Sequence, residues 1–150
     1  MVLDMGSMPS RILVAIDGSD ISMKAADYAF ALAKNSGAEI LAVNVVDLSS
    51  IFKMLPRDTK EQLIKIGRLE AKRMLDSVID RARQNGTKIK TEIIESSISV
   101  ADAIIKYAKD NNIDLVVVGT RGRSGMSKTL LGSVASKLVT YSPCPVLVVR

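Results

Sequence analysis

The sequence predicts an α/β fold: a doubly wound, Rossmann-like parallel sheet of five strands in the order 3-2-1-4-5, with helices on both faces and a single domain. Short apolar runs rich in valine and isoleucine alternate with longer segments of helical periodicity. Roughly ten residues or more separate consecutive runs, which is too long for hairpins and suits crossover helices between parallel strands. With 150 residues the chain can bury the core of one domain.

The first strand is predicted over Arg11–Asp17, an apolar run that ends in an acid. Gly18 follows as a turn, and either Ser19 or Ser22 can cap the next helix. Small apolar residues recur at helical spacing along that helix, which we expect to end at Gly37.

The second strand is predicted over Ala38–Val46, with Asp47 at its end. Leu48–Thr59 shows no clean period and contains a proline, so we expect a surface loop there. Lys60–Asn85 has one apolar stripe among dense mixed charges, which predicts an amphipathic helix with a solvated outer face. Gly86 ends this helix.

Lys88–Glu95 partly alternates between apolar and polar residues, as expected of an edge strand. Either Ser97 or Ser99 can cap a third helix, which ends at Asn111–Asn112. The run Leu115–Val118 is short and rich in valine, and it predicts a buried parallel strand.

The last helix is expected to begin at Ser133, because Gly132 would cost about 1 kcal/mol relative to alanine inside a helix. It continues through Val139. Val146–Val149 then forms the last strand, apolar and at the edge of the sheet. We expect the first, fourth and fifth strands to be buried on both faces.

The composition excludes several classes of enzyme. The sequence contains no histidine, which rules out a Ser-His-Asp triad, a Cys-His pair and a zinc site with two histidines. Cys144 is the single cysteine, so no disulfide can form within the chain, and one thiol fits a reducing cytoplasm. No catalytic residue is predicted.

Neither a membrane nor a nucleic-acid partner is expected. No apolar run approaches the ~20 residues that span a bilayer, and the N-terminus lacks the features of a secretory signal. We interpret residues 1–10 as a flexible tail and residues 11–150 as the domain. The net charge of +5 would suit a polyanion, but only 3% of the residues are aromatic, which leaves few platforms for stacking bases.

A run of glycines follows the fourth strand with the spacing G-x2-G-x9-G-[ST]. Gly119 ends the strand, Gly122 comes three residues later, and Gly132 precedes Ser133. Glycine lets the backbone turn sharply and approach a bulky group. A strand end, a glycine loop and a helix N-terminus bring backbone N–H groups around one concavity, which suits an anion such as phosphate.

Two other nucleotide-binding motifs are not favoured. Gly122–Thr129 looks like a P-loop, but that motif needs glycine immediately before its lysine, and Ser127 precedes Lys128 here. No G-x-G-x-x-G occurs, so a dinucleotide fold of the dehydrogenase type is not expected.

With this motif the sequence resembles the ATP-binding members of the universal stress protein family, from about Arg11 to Arg150. The resemblance includes I-L-V-A-I-D-G-S at the first strand, A-V-N-V-V-D at the second, D-L-V-V-V-G-T-R-G-R-S-G at the fourth and P-C-P-V-L-V-V at the end. It implies that ATP binds here, with Mg²⁺ or Mn²⁺ held mainly by the phosphates. The implied binding residues are Ala15, Ile16, Asp17, Val45, Gly119, Arg121, Gly122, Gly132, Ser133 and Val134.

The resemblance also implies how the nucleoside is held. Asp17 would accept hydrogen bonds from the ribose or lie near the adenine. Ala15 and Ile16 would line the base pocket, and Val45 would offer its backbone to the adenine edge. Gly119 would meet the ribose.

The phosphates would be held by Gly122, Gly132, Ser133 and the amide of Val134, with Arg121 adding positive charge. These phosphate-binding residues also agree with general physical chemistry, because small residues and backbone N–H groups suit an oxyanion.

Simpler interpretations stay open for several of these residues. Asp17 could serve only to cap the first helix, and Ser133 could be only an N-cap. Cys144, between two prolines, is interpreted as a packed thiol rather than a nucleophile. The resemblance further implies a homodimer that pairs across Val146, Leu147, Val148 and Val149.

Three functions follow from this sequence. The first is an adenine-nucleotide-binding regulatory switch or sensor in the stress response, with at most slow hydrolysis, because no general base is evident. The second is a weak ATPase in its own right. The third is a dimeric scaffold or chaperone-like stress protein that binds no nucleotide and keeps the glycine loop for its turn geometry alone.

Overall fold

The computed structural model describes residues 8–49, 54–121 and 130–150, in which five strands and four helices alternate. Each predicted strand and helix is present, which confirms the predicted element order. In chain order the elements are β1 (Arg11–Ala15), α1 (Asp20–Ser36), β2 (Glu39–Asp47), α2 (Arg57–Gln84), β3 (Ile89–Ser96), α3 (Val100–Asp110), β4 (Leu115–Gly119), α4 (Ser133–Tyr141) and β5 (Val146–Val149).

The strands form one parallel sheet in the order β3-β2-β1-β4-β5, as predicted. β1 lies at the centre, where Leu13 pairs with Leu41 of β2 on one side and with Val116 of β4 on the other. The chain builds β2 and β3 on one side of β1, then crosses over to build β4 and β5. This reversal of strand order opens a crevice at the carboxyl ends of β1 and β4.

Helices cover both faces of the sheet, so there are two apolar layers. On the face covered by α1 and α2, Ile12 packs in one buried cluster with Phe30 and Val78. On the opposite face, Leu13 packs in a second cluster with Leu138. Neighbouring residues of β1 thus point into different layers, as the two-residue period of a strand requires.

β1 and β4 are buried on both faces as predicted, but the same expectation is wrong for β5. In β5 only Val149 is buried, whereas Val146, Leu147 and Val148 are half-buried. The reason is its place in the sheet, because β5 is an edge strand with β4 as its single neighbour. β3 forms the other edge, as its alternating pattern predicted.

β1 ends two residues earlier than predicted. The N–H of Ile16 still donates to the carbonyl of Val43 at 2.8 Å, but the Ile16 carbonyl accepts a 2.7 Å hydrogen bond from the side-chain amide of Asn44. The backbone ladder between β1 and β2 stops there, so Asp17 belongs to the following turn rather than to the strand.

α2 begins at Arg57, so the prediction of a loop over Leu48–Thr59 is wrong for its last three residues. Pro56 precedes the helix with φ of −58°, a value that suits a helix start. Proline is tolerated there because the first N–H groups of a helix have no acceptor within it. Residues 50–53 of the predicted loop lie outside the described residues.

The structure decides between the alternative capping serines. Ser19 accepts a hydrogen bond from the N–H of Ser22 at 3.2 Å, and Ser99 accepts one from the N–H of Asp102 at 3.1 Å. α4 begins at Ser133 as predicted. In the part of the chain that the structure describes, no helix is long and apolar enough to cross a membrane.

The end of the predicted N-terminal tail is attached to the domain. The N–H and hydroxyl of Ser10 both donate to Asp114, at 2.9 and 2.7 Å, and the Ser10 carbonyl accepts from the N–H of Glu39 at 2.9 Å. Residues 1–7 of that tail lie outside the described residues.

Candidate functional site

A cavity of about 520 Å³ opens at the carboxyl edge of the sheet, where β1, β2 and β4 end. Its walls come from these three strand ends and from the first turns of α3 and α4. The site therefore lies at the reversal of strand order, where ligands bind in open α/β sheets.

Most of the predicted site residues meet at this cavity. Ala15, Ile16 and Asp17 reach it from the end of β1, and Val45 from β2. The remaining ones come from the end of β4 and the start of α4: Gly119, Arg121, Gly132, Ser133 and Val134. Gly122, the tenth predicted residue, lies outside the described residues.

The turn after β1 leaves one oxygen of Asp17 available. Asp17 Oδ1 accepts from the N–H of Ser19 at 2.9 Å and from its hydroxyl at 2.5 Å. The N–H of Asp17 donates to Ser22 Oγ at 3.4 Å. Among the described residues no donor reaches Asp17 Oδ2, so the carboxylate can order its turn and still accept a hydrogen bond from a ligand.

β2 extends past the end of β1, which exposes part of its backbone. The carbonyl of Val43 points toward β1, because it accepts from the N–H of Ile16. Residues two apart in a parallel strand direct their N–H and C=O to the same side. The backbone groups of Val45 therefore point toward the space beyond β1, into the cavity that Val45 lines.

The first turn of α4 presents N–H groups to the same cavity, and these groups have no acceptor among the described residues. Its N-cap residue, Gly132, has no side chain with which to cap the helix, and the N–H of Gly132 donates to the carbonyl of Thr120 at 2.7 Å. The first intrahelical bond runs from the N–H of Ser136 to the carbonyl of Gly132, at 2.9 Å. The N–H groups of residues 133–135 precede it, carry the positive end of the helix dipole and suit an anion.

Gly119 is required by packing within the protein. A Cβ atom at this position would overlap Cγ2 of Ile21 in α1 and would lie 3.3 Å from Ile21 Cβ. The bulky neighbour that a glycine was predicted to admit is thus a side chain of this protein. Its predicted contact with a ribose stays a prediction.

Arg121 is half-buried at the cavity and forms no ion pair with any of the described residues. Together with the α4 N-terminus, it makes this end of the cavity electropositive. Asp17 and Asp47 lie at the ends of the strands opposite. The cavity therefore has a cationic end and an acidic side.

Several cavity residues were not predicted. Val100 and Ile104 of α3 form an apolar wall, and Asn44, Asp47 and Thr120 add polar groups. Asp47 shows the same pattern in the sequence as Asp17, an acid at the end of an apolar run, and could have been predicted in the same way. Asn44 is a polar residue inside an apolar run.

An ion pair links α3 with α4, the two helices that begin at the cavity. Asp102 of α3 accepts from Nζ of Lys137 of α4 at 2.7 Å and from the hydroxyl of Ser99 at 2.7 Å. These hydrogen bonds, the one from Lys137 first, hold the pKa of Asp102 below its usual value, with burial acting in the opposite direction. α3 and α4 are therefore linked by an ion pair between side chains that do not line the cavity.

Cys144 does not line the cavity. Burial raises the pKa of its thiol, opposed by a contact of 3.6 Å to the hydroxyl of Ser142. A thiol with a raised pKa is a weak nucleophile at neutral pH, which agrees with its interpretation as a packed side chain. Within residues 8–49, 54–121 and 130–150, no three side chains of the metal-binding types gather at one place.

Comparisons with known proteins point to one family. The family model described as "Universal stress protein family" matches residues 8–150. The universal stress protein YxiE of Bacillus subtilis is 36% identical over 150 residues, a match that covers 95% of this chain and 100% of YxiE.

Solved structures give the same result. Universal stress protein UspA from Lactobacillus plantarum is 29% identical with a TM-score of 0.82, over 94% of this chain and 97% of UspA. A universal stress protein solved in complex with cAMP is 27% identical with a TM-score of 0.70, over 96% of this chain and 98% of that protein.

Proposed function

Because this chain belongs to the universal stress protein family, we propose that it binds an adenine nucleotide, with ATP as the preferred ligand. We further propose that the protein is cytoplasmic and acts as a nucleotide-dependent switch in the stress response. The observation that carries the proposal is the cavity itself, which combines free helix N–H groups, an available carboxylate oxygen and exposed strand backbone. The complex of a 27% identical relative with cAMP supports an adenine nucleotide as the occupant.

Each part of a nucleotide has a matching surface. The phosphates lie against the first turn of α4, where residues 133–135 offer N–H groups and Arg121 offers a positive charge. Oδ2 of Asp17 accepts from a ribose hydroxyl. The base lies between the backbone of Val45 and the apolar wall of α3.

A divalent cation, Mg²⁺ or Mn²⁺, is carried mainly by the phosphates in this proposal. The cavity's acids suit hydrogen bonding to the nucleoside, and its cationic end suits phosphate oxygens rather than a metal ion. When bound, the cation offsets phosphate charge that the N–H groups and Arg121 leave uncompensated.

We place the protein among switches rather than efficient enzymes. The sequence has no histidine, and the cavity carboxylates of Asp17 and Asp47 lie on its acidic side, away from the α4 N-terminus where the phosphates are placed. Neither is poised as a general base for a phosphate-attacking water. A single-turnover assay with radiolabelled ATP distinguishes a switch from a weak ATPase, since only the ATPase would form product faster than its Asp17→Ala variant.

A thermal-shift panel of ATP, ADP, AMP and GTP tests the binding proposal. A ligand at about 100 times its Kd stabilises the folded state by about 2.7 kcal/mol, which should raise Tm by about 5–10 °C in a domain of this size. Asp17→Ala and Gly132→Val should abolish the shift while the far-UV circular dichroism stays unchanged. Gly132 has extended backbone geometry that valine can adopt, so the added bulk acts on the anion site and not on the turn.

Asp76→Ala is the matched control, because Asp76 is an exposed acid paired with Lys72 on α2. It should leave the shift intact. Equal calorimetric titrations of wild type, Asp17→Ala and Gly132→Val would refute the site. Purification of the native protein with no nucleotide on mass spectrometry, together with no shift for any nucleotide, would favour the scaffold function instead.

We also propose that two copies pair through β5. Its outer edge carries half-buried Val146, Leu147 and Val148, and Val139 and Tyr141 of the adjacent α4 are exposed. An apolar edge strand is an aggregation hazard unless it is covered, and a second copy would cover it. Sedimentation at tens of micromolar tests this, and finding only monomer would overturn it.

A further inference from the structure

Asn44 is a buried polar residue in the middle of an apolar strand. Its side chain belongs to the few buried polar ones among the described residues, at 9% exposure. Its amide nitrogen donates to the carbonyl of Ile16 at 2.7 Å and contacts Sδ of Met74 at 3.4 Å. Both partners lie on other elements, so Asn44 connects the end of β1 with α2.

The position of Asn44 gives this hydrogen bond a consequence for the backbone ladder. Ala15 pairs with Val43, so Ile16 lies opposite Asn44. A residue in a parallel ladder donates to the residue before its partner and accepts from the residue after it. The N–H of Ile16 duly donates to Val43, and the next bond would run from the N–H of Val45 to the carbonyl of Ile16.

That next backbone bond is replaced by a side chain. The Ile16 carbonyl takes the amide of Asn44 instead, and no acceptor among the described residues takes the N–H of Val45, which lies at the cavity. A backbone N–H at such a place must find another partner, water or a ligand.

Met74 also packs against the turn that follows Ile16. Met74 lies under Gly18, with its Cε atom 3.1 Å from where a Cβ of Gly18 would be. Gly18 has φ of +83°, which a residue with a side chain rarely adopts. The chain after Ile16 therefore turns away from β2 over the Asn44 and Met74 side chains.

We propose that Asn44 is a positioning residue that stops the β1–β2 ladder one hydrogen bond early and so keeps the Val45 backbone open for the ligand. The link to a ligand rests on the proposed function, but the stopped ladder does not. Without the Asn44 amide, the carbonyl of Ile16 would be free to accept a hydrogen bond from the N–H of Val45. The β1–β2 ladder would then extend by one hydrogen bond, and the Val45 backbone would no longer be open to the cavity.

Amide hydrogen exchange by NMR on the protein without nucleotide tests the stopped ladder directly. In the wild type the Val45 amide should exchange at least about tenfold faster than the Val43 amide, which faces β1 within the ladder. In Asn44→Leu, which removes the donor at similar volume, Val45 should become at least about tenfold more protected. Val78→Ala, a buried substitution on the same side of the sheet and away from the cavity, should leave the Val45 rate unchanged.

The same variants are then titrated with ATP by calorimetry. Asn44→Leu should weaken binding about tenfold or more, whereas Val78→Ala should change it less than twofold. If Asn44→Leu does not fold, Asn44→Ser serves instead, because serine removes the long amide without adding bulk.

The outcomes separate the two proposals. Equal protection of Val43 and Val45 in the wild type, or no change at Val45 in the Asn44 variant, overturns the inference. The expected exchange pattern without any ATP binding by the wild type supports the stopped ladder and overturns the proposed function. The expected exchange pattern with ATP binding equal in wild type and Asn44→Leu overturns the role of Asn44 in ligand binding.

Discussion

Gly119→Ala tests whether packing against Ile21 requires a glycine at the end of β4. The new methyl group would overlap Cγ2 of Ile21, and Ile21 Cβ would lie 3.3 Å away. Cγ2 belongs to a β-branched side chain on α1, whose χ1 has one strongly preferred value in a helix. The overlap cannot be relieved by rotating a flexible chain end, so α1 or β4 must shift.

The size of the effect follows from this geometry. Forcing an extra methyl group into a packed site costs about 1–3 kcal/mol. Replacing glycine recovers about 0.4–1 kcal/mol by restricting the unfolded chain. We expect a net loss of about 1–2 kcal/mol in the free energy of unfolding, or a Tm lower by about 2–8 °C for a domain of this size.

A double-mutant cycle with Ile21→Ala isolates the overlap, because alanine lacks Cγ2. Equilibrium urea unfolding followed by circular dichroism should show that Gly119→Ala costs clearly less in the Ile21→Ala background. Gly37→Ala is the control: apart from its neighbours in the chain, none of the described residues comes within 4 Å of its added Cβ, so its effect should add to that of Ile21→Ala. Additive effects for Gly119→Ala and Ile21→Ala would refute the steric argument.

Three further predictions concern other parts of the fold. Since burial raises the pKa of Cys144, its alkylation at pH 8 should be at least about tenfold slower in the native protein than in urea, and equal rates would contradict this. Burial raises the pKa of Asp114, but hydrogen bonds from Ser10 and the Arg11 N–H outweigh it and leave that pKa below its usual 3.8. The stability that Asp114 contributes is therefore present above about pH 4 and is lost as the pH falls through the lowered pKa. Asp114→Asn should lower the midpoint of urea unfolding more at pH 7 than at pH 2. An equal decrease at both pH values would contradict this prediction. Ser99→Ala should cost about 1 kcal/mol by uncapping α3, while Ser97→Ala stays within about 0.5 kcal/mol, and equal losses would show that the cap is misassigned.

The sequence predicted the fold well because its signals are local and mutually consistent. Short apolar runs, capping serines and glycine stops agree along the whole chain, and the start of α4 at Ser133 followed from one glycine. The glycine spacing also identified the family, which the family match confirms. The start of α2 was missed because Pro56 was interpreted as a loop residue rather than as the position before a helix.

Features that depend on which strands are neighbours were harder to predict. The burial of β5 depends on its having a neighbour on one side only. The short β1 and the hydrogen bond of Asn44 need the register between β1 and β2, which no local pattern gives. Gly119 was predicted to face something bulky, but only the packing of α1 shows that this is Ile21.

The central position of β1 determines the order in which the strands can join the sheet during folding. β1 is synthesised before β4, one of its two neighbours in the sheet. The hydrogen bond from the N–H of Arg11 to the carboxylate of Asp114, just before β4, joins residues 103 positions apart. The segment from β1 to β3 can pair as soon as it leaves the ribosome, whereas β4 and β5 must dock afterwards, with a large loss of loop entropy. Asp17 belongs to the early part and α4 to the late part, so a molecule bound between them would contact both and slow the dissociation of the segment from β4 to β5.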